Sequence, residues 1–106
     1  MTSTPTSVSD SFQVFLRETP AHAHAWMTAA QALGQASALD AKTAHLSYLA
    51  VLAALGLESG VPFHANLARD AGATREEVAS AVLVGLSAAG NVVIRSLPPA
   101  LSVFEG

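Results

Sequence analysis

DAKTAHLSYLAVLAALGLESGVPFHANLARDAGATREE, residues 40–77, is the stretch that decides the fold. Asp40 predicts the N-cap of an apolar helix that runs to about Gly56, because a short acidic side chain can bind the free amides of a first turn. A break follows, and the next helix is expected over about residues 61–71, with Pro62 in its first turn. The stretch therefore predicts two adjacent helices joined by a tight turn.

A capping box predicts where the following helix begins. Thr74 can bind the amide of Glu77, and the Glu77 side chain can reach back to the amide of Thr74. A helix is therefore expected over about residues 75–88. A last helix is expected from about Val92, disturbed by the prolines at positions 98 and 99, because proline lacks the amide hydrogen that a helix interior needs.

Two more helices are expected upstream of Asp40. Asp10 predicts the N-cap of a helix over residues 11–18, and Thr19 predicts the N-cap of another over about residues 20–36. The sequence shows no alternation typical of strands. The predicted fold class is therefore all-α, a bundle of about six helices.

The chain is expected to be one domain, over residues 9–106, after a disordered Ser- and Thr-rich arm over residues 1–8. Its start lacks the basic segment and apolar run of a secretory signal. Its longest apolar run, residues 46–57, is shorter than the roughly 20 residues that a spanning helix needs. We therefore expect a cytoplasmic protein that does not enter membranes.

The composition indicates self-association and excludes nucleic acid as a partner. Hydrophobic residues make up 51% of the chain and charged residues 12%, whereas about a quarter of a typical soluble domain is charged. The excess apolar surface is expected to lie between subunits. The helix after Asp40 is expected to be buried on nearly all sides, because its apolar residues occupy nearly all of its faces. The five lysine and arginine residues are spread singly, so no basic patch exists for a phosphate backbone.

Three motifs in one order resemble those of a known family. They are LDAKT at residues 39–43, the turn and helix start at residues 56–64, and AGATREE at residues 71–77. Their order and spacing, over about residues 40–90, resemble the carboxymuconolactone decarboxylase and alkyl hydroperoxidase D-like (AhpD-like) family. The resemblance implies an AhpD-like helical bundle that assembles as a homo-oligomer, either a trimer or a hexamer.

The resemblance also places the family's functional positions on this chain. The two cysteines of the family's peroxidases fall on Leu57 and Gly60, the motif's histidine falls on His64, and a glutamate of the proton relay falls on His45. The chain has no cysteine, and a thiol peroxidase needs one thiolate to attack the peroxide and a second thiol to resolve the product. Thiol peroxidase activity is therefore excluded. The family's decarboxylases carry a basic residue near the first cysteine position, where Leu57 supplies no base.

His64 and His45 are the candidate catalytic residues. A neutral imidazole near pH 7 can take a proton from a substrate and return it, and the resemblance implies that both rings face one cleft. The alternative for each histidine is a structural role, in which the ring forms a hydrogen bond with a backbone carbonyl or a water. Apolar walls of that cleft are expected from four residues, with the Tyr48 hydroxyl as a donor: Trp26, Tyr48, Leu49 and Phe63.

No metal and no other cofactor is predicted. Two histidines are too few for zinc, which takes about three or four protein ligands, and a further ligand would have to come from Glu58 or from another subunit. His22 and His24 are expected on the surface or at a subunit contact, because residues two apart on a helix point in different directions.

Two interpretations of the function stay open. In the first, the protein is an acid–base catalyst of decarboxylase or isomerase type that acts on a small oxygenated or cyclic organic acid. In the second, it is a non-catalytic oligomeric member of the family that binds a small molecule. An open pocket at His64 with a second titratable group favours the enzyme, whereas a site filled by Leu57 and Phe63 favours the second interpretation.

Overall fold

The computed structural model describes residues 9–105, which form helices joined by short turns. The α-helices in this range are α1 (Asp10–Glu18), α2 (Pro20–Ala36), α3 (Ala41–Leu55), α4 (Val61–Asp70), α5 (Arg75–Leu83), α6 (Leu86–Ala89) and α7 (Leu97–Leu101). Three 3-10 segments accompany them: Glu58–Gly60, Gly90–Ser96 and Ser102–Phe104. No strand occurs within residues 9–105, and the all-α fold class is confirmed. The predicted arm over residues 1–8 lies outside the described residues.

Local capping explains where α3 and α5 begin. Asp40 stands at the N-cap of α3, and its carboxylate accepts a hydrogen bond from the amide of Thr43 at 2.8 Å. At the start of α5, the Thr74 hydroxyl accepts from the amide of Glu77 at 3.1 Å, and the Glu77 carboxylate accepts from the amide of Thr74 at 2.9 Å. Both predicted N-termini are therefore confirmed.

The beginning of the molecule differs from the prediction in two caps. Ser9, rather than Asp10, is the N-cap of α1, since its hydroxyl oxygen accepts from the amide of Phe12 at 3.2 Å. Thr19 precedes α2, but its hydroxyl donates to the carbonyl of Phe15 at 2.7 Å. The Thr19 side chain therefore fastens the end of α1, and α2 begins without a side-chain cap.

The core lies among α3, α4, α5 and the segment that follows them. Gly56 ends α3 in the left-handed conformation, with φ of 72°, and a Cβ atom there would lie 3.2 Å from the Val92 side chain. The position therefore requires glycine for both its backbone conformation and its close approach. The largest fully buried apolar side chains are Leu49, Val61, Val78, Val82 and Val93.

The last third of the chain is more broken than predicted. The helix expected to reach about residue 88 ends at Leu83, and the expected last helix is a 3-10 segment followed by the short α7. Gly90 has φ of 79°, a conformation that other residues avoid. The prolines at positions 98 and 99 remove two backbone donors. These breaks let the segment fold against α5 with Val93 fully buried.

Helix α3 is buried on one side only. Leu49 and Leu52 face the core, whereas Tyr48, Val51 and Leu55 are 49%, 54% and 65% exposed. The prediction that this helix is buried on nearly all sides is therefore wrong for the single chain. The other elements of residues 9–105 do not cover this apolar outer side.

The first two helices form an N-terminal hairpin, residues 9–36, that stands apart from the core. Helices α1 and α2 pack against each other, and Ala23 is the only residue of α2 that is buried. Trp26 is 55% exposed and Leu33 is 68% exposed. The radius of gyration, 14.3 Å, exceeds the roughly 13 Å of a compact domain of about this length.

One segment, Arg75–Phe104, is long and apolar enough to cross a membrane by length and composition alone. A single segment of this kind is only weak evidence for a membrane span, because the core helices of soluble proteins can be equally long and apolar. Here the segment is divided among α5, α6, α7 and the 3-10 segments between and after them. The expectation that the chain does not enter membranes stays a prediction.

Candidate functional site

A cavity of about 360 Å³ lies between the N-terminal hairpin and helices α3 and α4. Small-molecule sites typically enclose about 300–1,000 Å³. Tyr48 and Phe63 on its wall are 49% and 40% exposed, so the cavity is open to solvent. Nine of the described residues line it: Ser9, Phe12, Trp26, Met27, Ala30, Tyr48, Gly60, Phe63 and His64.

His64 is the histidine on this wall, and two aromatic rings hold it. Pro62 lies in the first turn of α4, and His64 follows it two residues later in the same helix. The His64 ring stacks on Tyr48 of α3, with ring centroids 4.2 Å apart and an angle of 27° between the planes. Phe63 meets the same ring edge-on at 5.2 Å and 87°. Gly60 leaves room beside it, since a Cβ atom there would lie 4.0 Å from His64 Cδ2.

The environment of His64 favours the neutral imidazole. Burial lowers the pKa of His64, because a charged ring loses hydration there, and the nearby charge of His45 lowers this pKa further. Neither ring nitrogen of His64 has a hydrogen-bond partner among residues 9–105. A neutral imidazole is the form of histidine that can accept a proton, at its unprotonated nitrogen.

His45 stands behind the site rather than in it. It lies one turn before Tyr48 on α3 and is partly buried. It is close enough for its charge to affect His64, but it does not line the cavity. The structure therefore brings His45 and His64 near each other, while His64 alone faces the enclosed space.

The walls match the sequence expectation in part. Trp26, Tyr48 and Phe63 line the cavity as expected, whereas Leu49 is fully buried in the core. The expectation that Leu49 forms a wall is wrong, because adjacent residues of α3 point to different sides. Sequence reasoning missed the contribution of the hairpin beyond Trp26. The spacing of the apolar residues in α1 places Phe12 on the apolar face of that helix, and this pattern could have indicated that α1 contributes to the wall.

The two positions that would carry cysteines in a peroxidase differ in their surroundings. Leu57 is 51% exposed and does not fill the site, whereas Gly60 lies on the cavity wall. Glu58, between them, forms an ion pair with Arg95 at 2.6 Å. No group of three or more potential metal ligands occurs in the part of the chain that the structure describes. His22 and His24 are exposed on α2, outside the cavity.

Fold and site together define a class, an all-α, cysteine-free protein with a histidine on the wall of a mostly aromatic cavity. The chain belongs to the carboxymuconolactone decarboxylase family, whose model matches residues 20–101. The matched residues contain α2 through α7 and His64, and they leave out α1. Neither the curated proteins nor the solved structures that were compared include a significant match.

Proposed function

We propose that the protein is an acid–base catalyst of isomerase or decarboxylase type, in which His64 moves a proton of a small organic molecule bound in the cavity. One observation carries this proposal: His64, its pKa lowered by burial, lines a 360 Å³ open cavity with no hydrogen-bond partner among the described residues. Titratable groups with altered pKa values in clefts are typical of functional sites.

The surrounding groups suit proton transfer. In an isomerisation, one His64 nitrogen would accept a proton from an acidic C–H or O–H bond of the substrate and return it to the product. In a decarboxylation, the C–C bond to the carboxylate would break, CO₂ would leave, and the carbon that keeps the electron pair would take a proton from water by way of His64. Stacking on Tyr48 fixes the plane of the imidazole, which keeps the accepting nitrogen in one direction. Tyr48 and Ser9 line the cavity and carry hydroxyl groups that can donate to a substrate oxygen.

The test uses deuterium exchange in heavy water. Cyclic keto acids and unsaturated lactones would be incubated with the protein, and deuterium incorporation would be followed by NMR spectroscopy. We expect His64→Gln to lower the exchange rate about 100-fold or more, in line with the usual contribution of a general base. His24→Gln is the matched control, since His24 is exposed outside the cavity. Equal loss in both variants would contradict the proposal.

A second candidate function is binding without turnover. The cavity lining contains no carboxylate, and His45 lies behind the wall, so His64 has no obvious acidic partner in the site. In that case a ligand would shift the NMR signals of His64 and exchange no deuterium. The same experiment therefore separates the two functions.

Self-association is proposed for either function. Exposed apolar residues of the hairpin and of the outer side of α3 that do not line the cavity support a homo-oligomer, a trimer or a hexamer: Leu33, Val51 and Leu55. Obligate interfaces are large and apolar. Leu33→Glu should reduce the mass found by light scattering, whereas Gln31→Glu, which adds the same charge elsewhere on α2, should not. A parent protein that is monomeric at micromolar concentration would refute this part.

A further inference from the structure

Four aromatic rings from four helices meet around the cavity. Phe12 comes from α1, Trp26 from α2, Tyr48 from α3 and Phe63 from α4. Aromatic side chains favour planar ring partners, in offset-stacked or edge-to-face arrangements. Met27 adds a thioether, which also makes favourable contacts with rings. The walls are therefore suited to a flat cyclic molecule.

Within residues 9–105, the cavity offers no fixed charge to a ligand. None of the chain's five lysine and arginine side chains lines it, and no carboxylate lines it either. Four of the five form ion pairs elsewhere: Arg17 with Glu18, Lys42 with Glu77, Arg69 with Asp70, and Arg95 with Glu58. Arg75 donates a hydrogen bond to the carbonyl of Leu101, and Arg69 also donates one to the carbonyl of Val103. A carboxylate bound here would lose hydration without a counter-charge.

The size and the polar groups limit the ligand further. An apolar cavity of roughly 150 Å³ can hold benzene, so 360 Å³ has room for one or two rings. The polar groups on the wall are the Ser9 and Tyr48 hydroxyls and the His64 imidazole. The Ser9 oxygen already accepts from Phe12, and its hydrogen remains available to a ligand oxygen.

We infer that the ligand of this cavity is an uncharged aromatic or cyclic compound that carries a hydroxyl group, held flat between the aromatic walls with that hydroxyl donating to His64. The inference names the substrate class of the proposed function in its isomerase form, because a decarboxylase substrate carries a carboxylate, and for the proton that His64 moves it rests on that function. A phenol or an enol fulfils these requirements, because its hydroxyl can donate a hydrogen bond to a nitrogen of the neutral imidazole. A carboxylic acid, ionised at neutral pH, does not fulfil them.

Two of the lining residues lie outside the matched region of the chain. Phe12 and Ser9 line the cavity, yet both precede residue 20, where the match to the family begins. One aromatic wall and one hydroxyl donor therefore come from a segment that the family model does not cover.

Trp26 is the only tryptophan of the chain and lies on the cavity wall, so its indole N–H signal reports binding directly. Two probes that share one ring would be titrated at neutral pH by NMR spectroscopy: p-cresol and 4-methylbenzoate. We expect p-cresol to shift the signal with a Kd at least about tenfold lower than that of 4-methylbenzoate. Equal or tighter binding of 4-methylbenzoate, or no shift with p-cresol at millimolar concentration, would overturn the inference.

A matched pair of variants tests whether p-cresol binds in the cavity. Ala30 lines the cavity and Ala29 does not, and both are exposed on α2. Leucine is a good helix former, so neither Ala30→Leu nor Ala29→Leu should unfold the hairpin. Ala30→Leu should abolish the p-cresol shift and Ala29→Leu should preserve it. Undiminished binding by Ala30→Leu would show that the ring sits elsewhere, which also overturns the inference.

The outcomes separate this inference from the proposed function. If p-cresol binds in the cavity while His64→Gln leaves all deuterium exchange unchanged, the ligand class stands and the catalytic role fails. If His64 is required for turnover of a carboxylate that binds more tightly than p-cresol, the catalytic role stands and the ligand class fails.

Discussion

The core and the N-terminal hairpin differ in what they contribute. The core holds all of the buried apolar residues except Ala23, and it carries His64 on α4. The hairpin buries almost nothing of its own, yet residues 9–36 supply five of the nine residues on the cavity wall. In this molecule the residues that stabilise the fold and those that shape the site therefore lie largely in different segments. Changes in the hairpin can alter ligand selection at little cost to the fold.

The largest expected difference between the core and the hairpin is in the free energy of unfolding of two leucine variants. Leu49 is fully buried in the core, whereas Leu33 in the hairpin is 68% exposed. Leu49→Ala should lower the free energy of unfolding by about 2–5 kcal/mol, because it removes buried methyl groups and leaves a cavity. Leu33→Ala should change it by no more than about 0.5 kcal/mol. Urea unfolding of both variants at low protein concentration measures the difference.

A comparable loss in the two leucine variants would break the distinction between core and hairpin. A loss in Leu33→Ala that appears only as the protein concentration rises would instead sharpen it. Binding between subunits stabilises a folded chain by mass action, so that result would assign the hairpin's apolar face to the assembly.

Two glycines should respond to alanine with opposite signs. Gly56→Ala should destabilise the protein by about 1–2 kcal/mol, the usual cost of a left-handed residue with a side chain, and Val92 would also have to shift. Gly34 lies within α2, where nothing is within 4 Å of a new Cβ atom. Gly34→Ala should therefore stabilise by about 0.5–1 kcal/mol. Thermal melting of both variants gives the signs, and two losses would show that the hairpin is packed as tightly as the core.

The smallest expected effect is the pH dependence that His64 contributes. Its pKa is lowered in the folded protein, so the unfolded chain, with an ordinary value of about 6.5, binds the proton first as pH falls. Stability linked to His64 is therefore complete above about pH 6.5 and declines as pH falls towards the lower folded pKa. His64→Gln should flatten the stability profile between about pH 7 and pH 5, relative to His24→Gln as the control. A profile that His64→Gln leaves unchanged would contradict the burial of this ring.

The helix starts could be predicted where local chemistry decides them. Asp40 with Thr43, and Thr74 with Glu77, make their cap bonds within three residues of each other. Such bonds depend only on nearby sequence. The break after Leu83 depends instead on how the following segment packs against α5, and no local pattern contains that information.

The candidate site was predictable in part. His64 stood out by its position in the motif, and it lines the cavity with three of the four expected wall residues, Trp26, Tyr48 and Phe63. The rest of the wall depends on where the hairpin lies against α3 and α4, which brings Phe12 and Met27 to residues far along the chain. Spacing along one helix cannot reveal such a contact.

Glu77 has a consequence for the order in which the chain assembles. Its carboxylate accepts from the amide of Thr74 and also forms an ion pair with Lys42, near the start of α3, at 2.8 Å. The first bond spans three residues and can form within an isolated turn, whereas the second closes a loop of 35 residues. A carboxylate already held by its own helix loses less side-chain entropy when a distant partner arrives. The first turn of α5 is thus prepared to receive α3 before the two helices meet.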